Sequence, residues 1–173
     1  MGKINIVDWR PFKIENLFTI VKGTRLTRKD MKEGDIRYVG ASAFNNGVTN
    51  YIGNSENLHP GGTLTVSYNG SVGEVFYQDK EFWATDDVNV LYPKFSMDKY
   101  TALFIVSLIK SIGKNYAFVN KWKIEDMKRS IIYLPVDNEG QPNWIYIREY
   151  MQSFERTRHL FLNRIVDIVY PFI

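Results

Sequence analysis

The stretch Thr63–Gln78, "TLTVSYNGSVGEVFYQ", decides how this chain is read. Thr63, Thr65, Val66, Tyr68, Val72, Val75, Phe76 and Tyr77 are β-branched or aromatic, the types that fit a pleated surface. Between them stands Asn69-Gly70. Both residues tolerate positive φ, so the pair suits a type I′ turn whose twist matches the flanking strands. The expectation is an antiparallel hairpin closed at Asn69-Gly70. Gly61, Gly62, Gly70 and Gly73 fall among strand residues, not at a strand-to-helix junction, so they read as turn residues and not as a phosphate loop.

Working outward, "IRYVGAS" (36–42) reads as another strand, and Asn46-Gly47 repeats the turn chemistry. Upstream, "FKIENLF" (12–18) is apolar at 12, 14, 17 and 18 and predicts a short strand or turn on the core. "VKGTRLTRKDMKEGD" follows as a basic loop. Downstream, "EFWATDDVNVLYP" has strand character up to Pro93. From Ser96 the period changes. "SMDKYTALFIVSLIKSIGK" predicts a buried helix, capped by Ser96 or Asp98 and ended by Gly113. "NKWKIEDMKRS" predicts a short helix and "IIYLPV" a last strand. Asn143 is the expected N-cap of a long amphipathic helix from Trp144 to Tyr170. The fold class is therefore α+β: a mostly antiparallel β-sheet domain (residues 1–142) with a few helices, then a C-terminal amphipathic, coiled-coil-like helix (143–173).

The 173 residues are 45% hydrophobic and 24% charged, which fits a soluble domain with a real core. The absence of cysteine excludes disulfides and thiolate metal sites. "MGKINIVDWRPF" lacks the apolar core of a signal peptide, and Ile6 stands where a myristoylation signal wants Ser or Thr. "YTALFIVSLIKSIG" is interrupted by Lys110 and too short to span a bilayer. The expectation is a cytoplasmic protein with no membrane partner.

A catalytic apparatus is not legible. His59 and His159 lie far apart, without a partner at metal-ligand spacing; His59 reads as a solvated loop residue and His159 as a surface or interface residue. Asp86-Asp87, read as part of a strand, would point to opposite faces. No nucleophile elbow, phosphate-binding loop or methyltransferase-type Asn/Asp-Pro-Pro-Tyr/Phe motif occurs. The chain is expected to hold no catalytic residue, metal or cofactor of its own.

What does stand out is charge. The net charge is only +3, but two segments concentrate the cations. The first holds Lys22, Arg25, Arg28, Lys29 and Lys32, with Thr27 among them; the second holds Lys110, Lys114, Lys121, Lys123, Lys128 and Arg129, interleaved with Asn115, Tyr116, Phe118, Asn120 and Trp122. Lys and Arg neutralise phosphates, while Asn and Arg make paired hydrogen bonds to base edges. Double-stranded DNA is the partner this composition fits. Asn45, Asn69 and Ser71, at the two turns, are further candidates. The bland alternative is that the basic loops are solvated faces, that Phe118 and Trp122 are core, and that the 69–70 turn only fixes sheet register.

Taken together, several of these segments resemble the target-recognition domain of the specificity subunits of type I restriction–modification systems. The matching stretches are "FKIENLF", "KGTRLTRKD", "YVGASAFNNGV", "GGTLTVSYNGSVGEVFYQ", "FWATDDVNVLYP", and "IIYLPV" with "GQPNWIYIREYM", in family order over about residues 9–151. Arg37 replaces a frequent Pro, and Asn143 a frequent Asp. A full specificity subunit carries two such domains and two helical spacers, so this chain resembles a half-length form. The resemblance implies a non-catalytic module that reads one half of a bipartite DNA site. It would dock a methyltransferase subunit, which binds S-adenosylmethionine and methylates an adenine. A separate restriction subunit, associated indirectly, would cut unmodified DNA. An alternative of another class is a protein-interaction module that binds a methyltransferase or a specificity subunit without independent DNA readout. A carbohydrate-binding β-domain is a third.

The terminal helix repeats apolar residues at Ile147, Met151, Phe154, Phe161, Ile165 and Ile168, with Arg158 between, in alternating steps of four and three. This is a heptad seam. Packing on its own domain is one reading. Intermolecular packing is the favoured one, giving a homodimer in which Arg158 sets register or pairs with Glu155 of the second copy.

Overall fold

The computed structural model describes residues 6–116 and 121–169, with side chains of the last helix described as far as Arg158. Three sheets and four helices form it. In chain order the strands are β1 (Arg10–Lys13), β2 (Phe18–Lys22), β3 (Ile36–Val39), β4 (Val48–Ile52), β5 (Thr63–Ser67), β6 (Val75–Gln78), β7 (Phe82–Ala84), β8 (Val88–Pro93) and β9 (Ile131–Leu134); the helices are α1 (Ile14–Leu17), α2 (Lys99–Gly113), α3 (Ile124–Arg129) and α4 (Trp144–Val169). The α+β expectation holds, with antiparallel pairing throughout except β3 with β7, which run parallel.

The central sheet has the order β2-β8-β5-β6 and the second β4-β3-β7; β1 pairs with β9 apart from both. Strand β5 is buried along its whole length. Both its faces are covered: "TLTVS" alternates, with Leu64 and Val66 turned to the main core and Thr63, Thr65 and Ser67 buried on the opposite face. Its threonines are reconciled with burial by local bonds. Thr63 Oγ1 donates to the Pro60 carbonyl at 3.1 Å, and Thr65 Oγ1 accepts from Gln78 Nε2 at 3.2 Å.

The main core lies on one face of this sheet: Leu64, Val66, Val75 and Leu91 meet Phe104, Ile105 and Ile109 of α2, with Ile14, Trp122, Met127 and Ile147 around them. On the other face Val88 and Val90 pack against Val39, Phe82 and Ala84 of the second sheet. Trp122 is fully buried, so its core reading is the correct one.

Several local expectations change. The 12–18 segment keeps its expected place on the core, burying Ile14, Leu17 and Phe18, but its turn is one of helix, Ile14–Leu17, between the end of β1 and the start of β2. The hairpin is real, with Thr63 opposite Gln78 and Val66 opposite Val75, but it does not close at Asn69-Gly70. Pairing stops at Ser67 and Glu74, and a loop from Tyr68 to Gly73 crosses over. Positive φ falls on Gly70 (67°) and Gly73 (83°), not on Asn69. Asn46-Gly47 does take positive φ, preceded by Asn45 at 50°, within a longer connection from Gly40 to Gly47.

Asp98 caps α2 by accepting from the Thr101 amide at 2.8 Å. Gly113 does end α2, but without the left-handed φ of a glycine cap. A methyl group there would lie 2.6 Å from the Gly73 Cα, so its reason is close backbone approach. His59 is buried, not solvated: it stacks on Phe82, and its Nδ1 lies 2.6 Å from the Tyr92 hydroxyl. Burial holds its pKa below the usual histidine value.

Asn143 caps α4 through the Tyr146 amide at 3.0 Å. The helix starts on its own domain. Trp144 stacks on Phe95 at 3.9 Å between ring centroids, and Arg148 hydrogen-bonds Asp98. Among the described residues no helix is long and apolar enough to cross a membrane.

Candidate nucleic-acid interface

The antiparallel pairing of the central sheet sorts its loops into two ends. Lys22 closes β2 opposite Asn89, and Ser67 closes β5 opposite Val88. The turn Thr85–Asp87 and the loop Tyr68–Gly73 therefore belong to the same end as Lys22. Direct contacts tie them together. Lys22 Nζ stands 5.6 Å from the centre of the Tyr68 ring, and the Tyr68 hydroxyl donates to the Asp86 carbonyl at 2.7 Å. Asn69 Nδ2 donates to Asp87 Oδ1 at 2.8 Å. The Ser71 amide reaches the Ala41 carbonyl at 3.4 Å, which attaches the Gly40–Gly47 connection. Gly73 rests on Gly113, which brings the end of α2 and Lys114 to this end as well.

The basic loop is fastened to both the central and the second sheet. The Gly23 amide donates to the Val88 carbonyl and the Thr24 amide to that of Ala84. Trp83 Nε1 donates to the Thr24 carbonyl at 2.7 Å and the Tyr38 hydroxyl to that of Leu26 at 3.1 Å. Leu26 and Met31 complete a small apolar cluster with Ile52. Gly23 has no alternative, since a Cβ would meet the Thr85 carbonyl oxygen at 2.1 Å. This anchoring leaves Lys22, Arg25, Arg28 and Lys29 exposed, with Arg28 and Lys29 in a turn of 3-10 helix closed by the Thr27 hydroxyl on Asp30. Burial raises the Tyr38 pKa, as do the Asp86 and Asp87 carboxylates, while Arg25 opposes them. Arg25 follows directly on Gly23 and Thr24, whose bonds to Val88 and Ala84 hold it near this end.

The predicted residues divide as follows. Lys22, Arg25, Asn69, Ser71 and Lys114 share the loop end just described. Asn69 is turned inward, and its Oδ1 has no solvent access and no partner among the described residues. Asn45 is exposed and donates to the Val48 carbonyl. Asn115 and Lys121 are exposed, but Tyr116 stacks on Trp122 at 5.1 Å and belongs to the core's rim. Asn120 and Phe118 lie outside the described residues. The 110–129 segment does not stay together as one basic surface. Lys110 is paired with Glu74 at 2.6 Å, and Lys128 and Arg129 are paired with Glu125 and Asp126 on α3, beside α1 at the start of β2. Asp86-Asp87 forms a turn, not strand, and presents acceptors at the same end as Lys22.

Tyr68, Gly73 and Gly113 also shape this end, and reasoning from sequence misses their roles. Spacing in the chain carries no sign of a contact between residues 73 and 113.

Along α4, Ile147 is fully buried and Met151 packs against the same core. The start of the heptad seam therefore faces its own domain, because α4 lies across α2. Phe154 and Arg158 are exposed, and Glu155 accepts from the Tyr100 hydroxyl within the chain, so it is not held in reserve for a second copy. The side chains of His159, Phe161, Ile165 and Ile168 lie outside those described.

The fold is similar to part of restriction–modification S subunits of known structure. The S subunit of the type I restriction–modification system from M. genitalium superposes with a TM-score of 0.62 at 14% identity, over 94% of this chain and 44% of that one. The HsdS subunit from Thermoanaerobacter tengcongensis gives 0.64 at 15% identity, over 94% and 41%. At such identities the likeness is one of fold. Sequence carries it further: residues 6–163 match the type I restriction modification DNA specificity domain, and the chain belongs to that family. It is also 36% identical to the specificity subunit S.BcgI of a type II restriction enzyme from Heyndrickxia coagulans, over 86% of this chain and 44% of that protein. The chain thus spans under half the length of the relatives it matches.

Proposed function

We propose that this chain is the non-catalytic DNA-reading element of a restriction–modification specificity subunit. It recognises one half of a bipartite duplex target and docks a methyltransferase subunit. That partner binds S-adenosylmethionine and methylates an adenine, and a restriction subunit joins only indirectly. The observation that carries this reading is the convergence of Lys22, Arg25, Tyr68, Asn69, Ser71, Asp87 and Lys114 at one end of a rigid sheet, in a chain of the DNA specificity family. Cations there bind phosphates without regard to sequence. The Ser71 and Asp87 side chains supply the donors and acceptors that distinguish base edges, Asp87 by accepting from cytosine N4, with Asn69 holding Asp87 from the inside. The part of α4 from Phe154 onward is where a second copy supplies the other half-site reader. With two-fold symmetry the split target is palindromic.

Co-expression with the methyltransferase, followed by mapping of methylated adenines, tests the whole reading. One split motif is expected, and methylation without any sequence preference would sink it. The pairing of Lys128 and Arg129 with their own helix neighbours favours a second reading for α3, contact with a protein partner rather than with phosphate. Co-purification with the methyltransferase and no DNA affinity would select that reading for the chain as a whole.

A further inference from the structure

Phe44 is the most exposed large apolar side chain described, at 81%. Its setting is unusual for an idle surface residue. The connection that carries it is closed at its base by the Gly40 amide on the Gly47 carbonyl at 2.9 Å. Ser42 Oγ accepts from the Phe44 amide at 3.1 Å. On the other side Asn45 and Asn46 both sit in the left-handed region, where non-glycine residues are uncommon. Asn46 is clamped from beneath: its Nδ2 donates to the Tyr77 carbonyl at 2.9 Å, and Gln78 Nε2 donates to the Asn46 carbonyl at 3.0 Å. Gln78 is itself fully buried. The loop is therefore stiff, and the stiffness serves to hold an aromatic ring out in water.

Its place is also defined. Ala41, three residues earlier, accepts from Ser71 and touches Gly70. Three residues span at most roughly 10 Å, while Asn46 is held at Tyr77 and Gln78, at the far end of β6; Phe44 therefore stands at the edge of the sheet between its two ends, within that reach of the loop end that carries Lys22 and Asn69. The chemistry of its neighbours, Ser42, Asn45 and Asn46, is polar. A protein-binding anchor sits in an apolar patch; of the other exposed apolar side chains described, only Leu103 shares a pocket with Asn46 of this loop, while Val21 and Tyr51 lie on β2 and β4, Ile6, Val7, Ile131 and Tyr133 near β1 and β9, and Ile145, Tyr146 and Phe154 on α4. A single rigid apolar side chain among hydroxyls and amides matches a wedge that enters between stacked bases while its neighbours bond to base edges or phosphates.

We infer that Phe44 inserts at a base step of the bound duplex, opening the stack and adding selectivity for a step that opens easily. This rests on the DNA-reading function proposed above. Pyrimidine–purine steps unstack at least cost, so the favoured step is of that kind.

The test uses the full chain and the duplex it enriches from a random-sequence pool. 2-Aminopurine is placed in turn at each position of that duplex. The wild type should brighten the probe at one step. Phe44→Ala should abolish that signal and weaken binding roughly ten- to a hundredfold, with the salt dependence unchanged because no phosphate contact is lost. Phe44→Leu, still apolar and long, should keep both. If Phe44→Ala binds the enriched duplex as tightly as the wild type, or no position brightens with the wild type, the wedge is wrong while DNA reading stands. Loss of methyltransferase co-purification with DNA binding intact would make Phe44 a protein contact and overturn the inference. If the wild type enriches no duplex, the functional reading falls first and the wedge with it.

Discussion

Replacing Gly113 by alanine sets two effects against each other, and the structure decides the sign. Gly113 is the last residue of α2, and alanine is favoured over glycine in a helix interior by about 1 kcal/mol, less at an end. On propensity alone the variant gains stability. The structure says otherwise. The new methyl would lie 2.6 Å from the Gly73 Cα and 2.8 Å from its carbonyl oxygen. Carbon atoms rest about 3.5–4.0 Å apart, so the two segments must separate by about 1 Å. Both sides of the contact are backbone, and neither yields as a flexible side chain would. Overpacking of this kind costs about 1–3 kcal/mol, and the net loss comes to about 1–2 kcal/mol. For a chain of this size that lowers Tm by roughly 2–8 °C. Urea and thermal unfolding of the wild type and Gly113→Ala measure it directly. Gly73→Ala should fall further, because φ at Gly73 is 83° and a side chain there adds about 1–2 kcal/mol of strain. A Gly113→Ala protein more stable than the wild type would refute the close contact, and with it the placement of the Tyr68–Gly73 loop against the end of α2.

Asp98→Ala should destabilise by about 1–2 kcal/mol through loss of the Thr101 cap, and Asp98→Asn, which keeps an acceptor for that amide but no charge for Arg148, should lose less in the same thermal scan. His59 is held neutral by burial, with a folded pKa below its reference of 6.5. The unfolded chain therefore takes up a proton first as pH falls. Stability should be flat above about pH 7.5 and decline as pH drops through 6.5 towards the folded value; urea midpoints at pH 7.5 and 5.5 check this, and His59→Gln should flatten the difference. Changing Arg25, Arg28 and Lys29 together to Gln should weaken binding to every duplex and reduce the slope of log K against log salt by about 3 if all three meet phosphates; an unchanged slope removes this loop from the interface. Phe161→Lys with Ile165→Lys should give a monomer in light scattering, and an unaltered dimer would count against pairing through α4.

Much of the fold is legible because it is written in local chemistry. Asp98 and Asn143 announce their helices, since a side-chain acceptor before an apolar-periodic run satisfies the orphan amides of a first turn. The strands around Asn69-Gly70 announce a hairpin through β-branched and aromatic content alone. The turn is not legible in this way: residues 69–70 have the composition of a two-residue turn, but pairing ends at Ser67 and Glu74, and the wider loop lays Gly73 against Gly113. His59 looked solvated because Pro60 and two glycines follow it. The isolated bridge to Phe82 and the Tyr92 hydroxyl bury it. The candidate site follows the same division. Its cations are visible as a run, yet the run at 110–129 comes apart in space as Lys110, Lys128 and Arg129 find carboxylates.

By itself, then, the order of residues determined the element types, their caps, the fold class and the family, all of which depend on neighbours a few positions apart or on an ordered set of short motifs. Tertiary structure alone decided which loops share an end of the sheet, which polar groups are already satisfied, and that Ile147 packs inward while Phe44 stands out. Those outcomes depend on pairings between residues tens of positions apart. Their energies come from packing and burial, quantities a one-dimensional pattern does not contain.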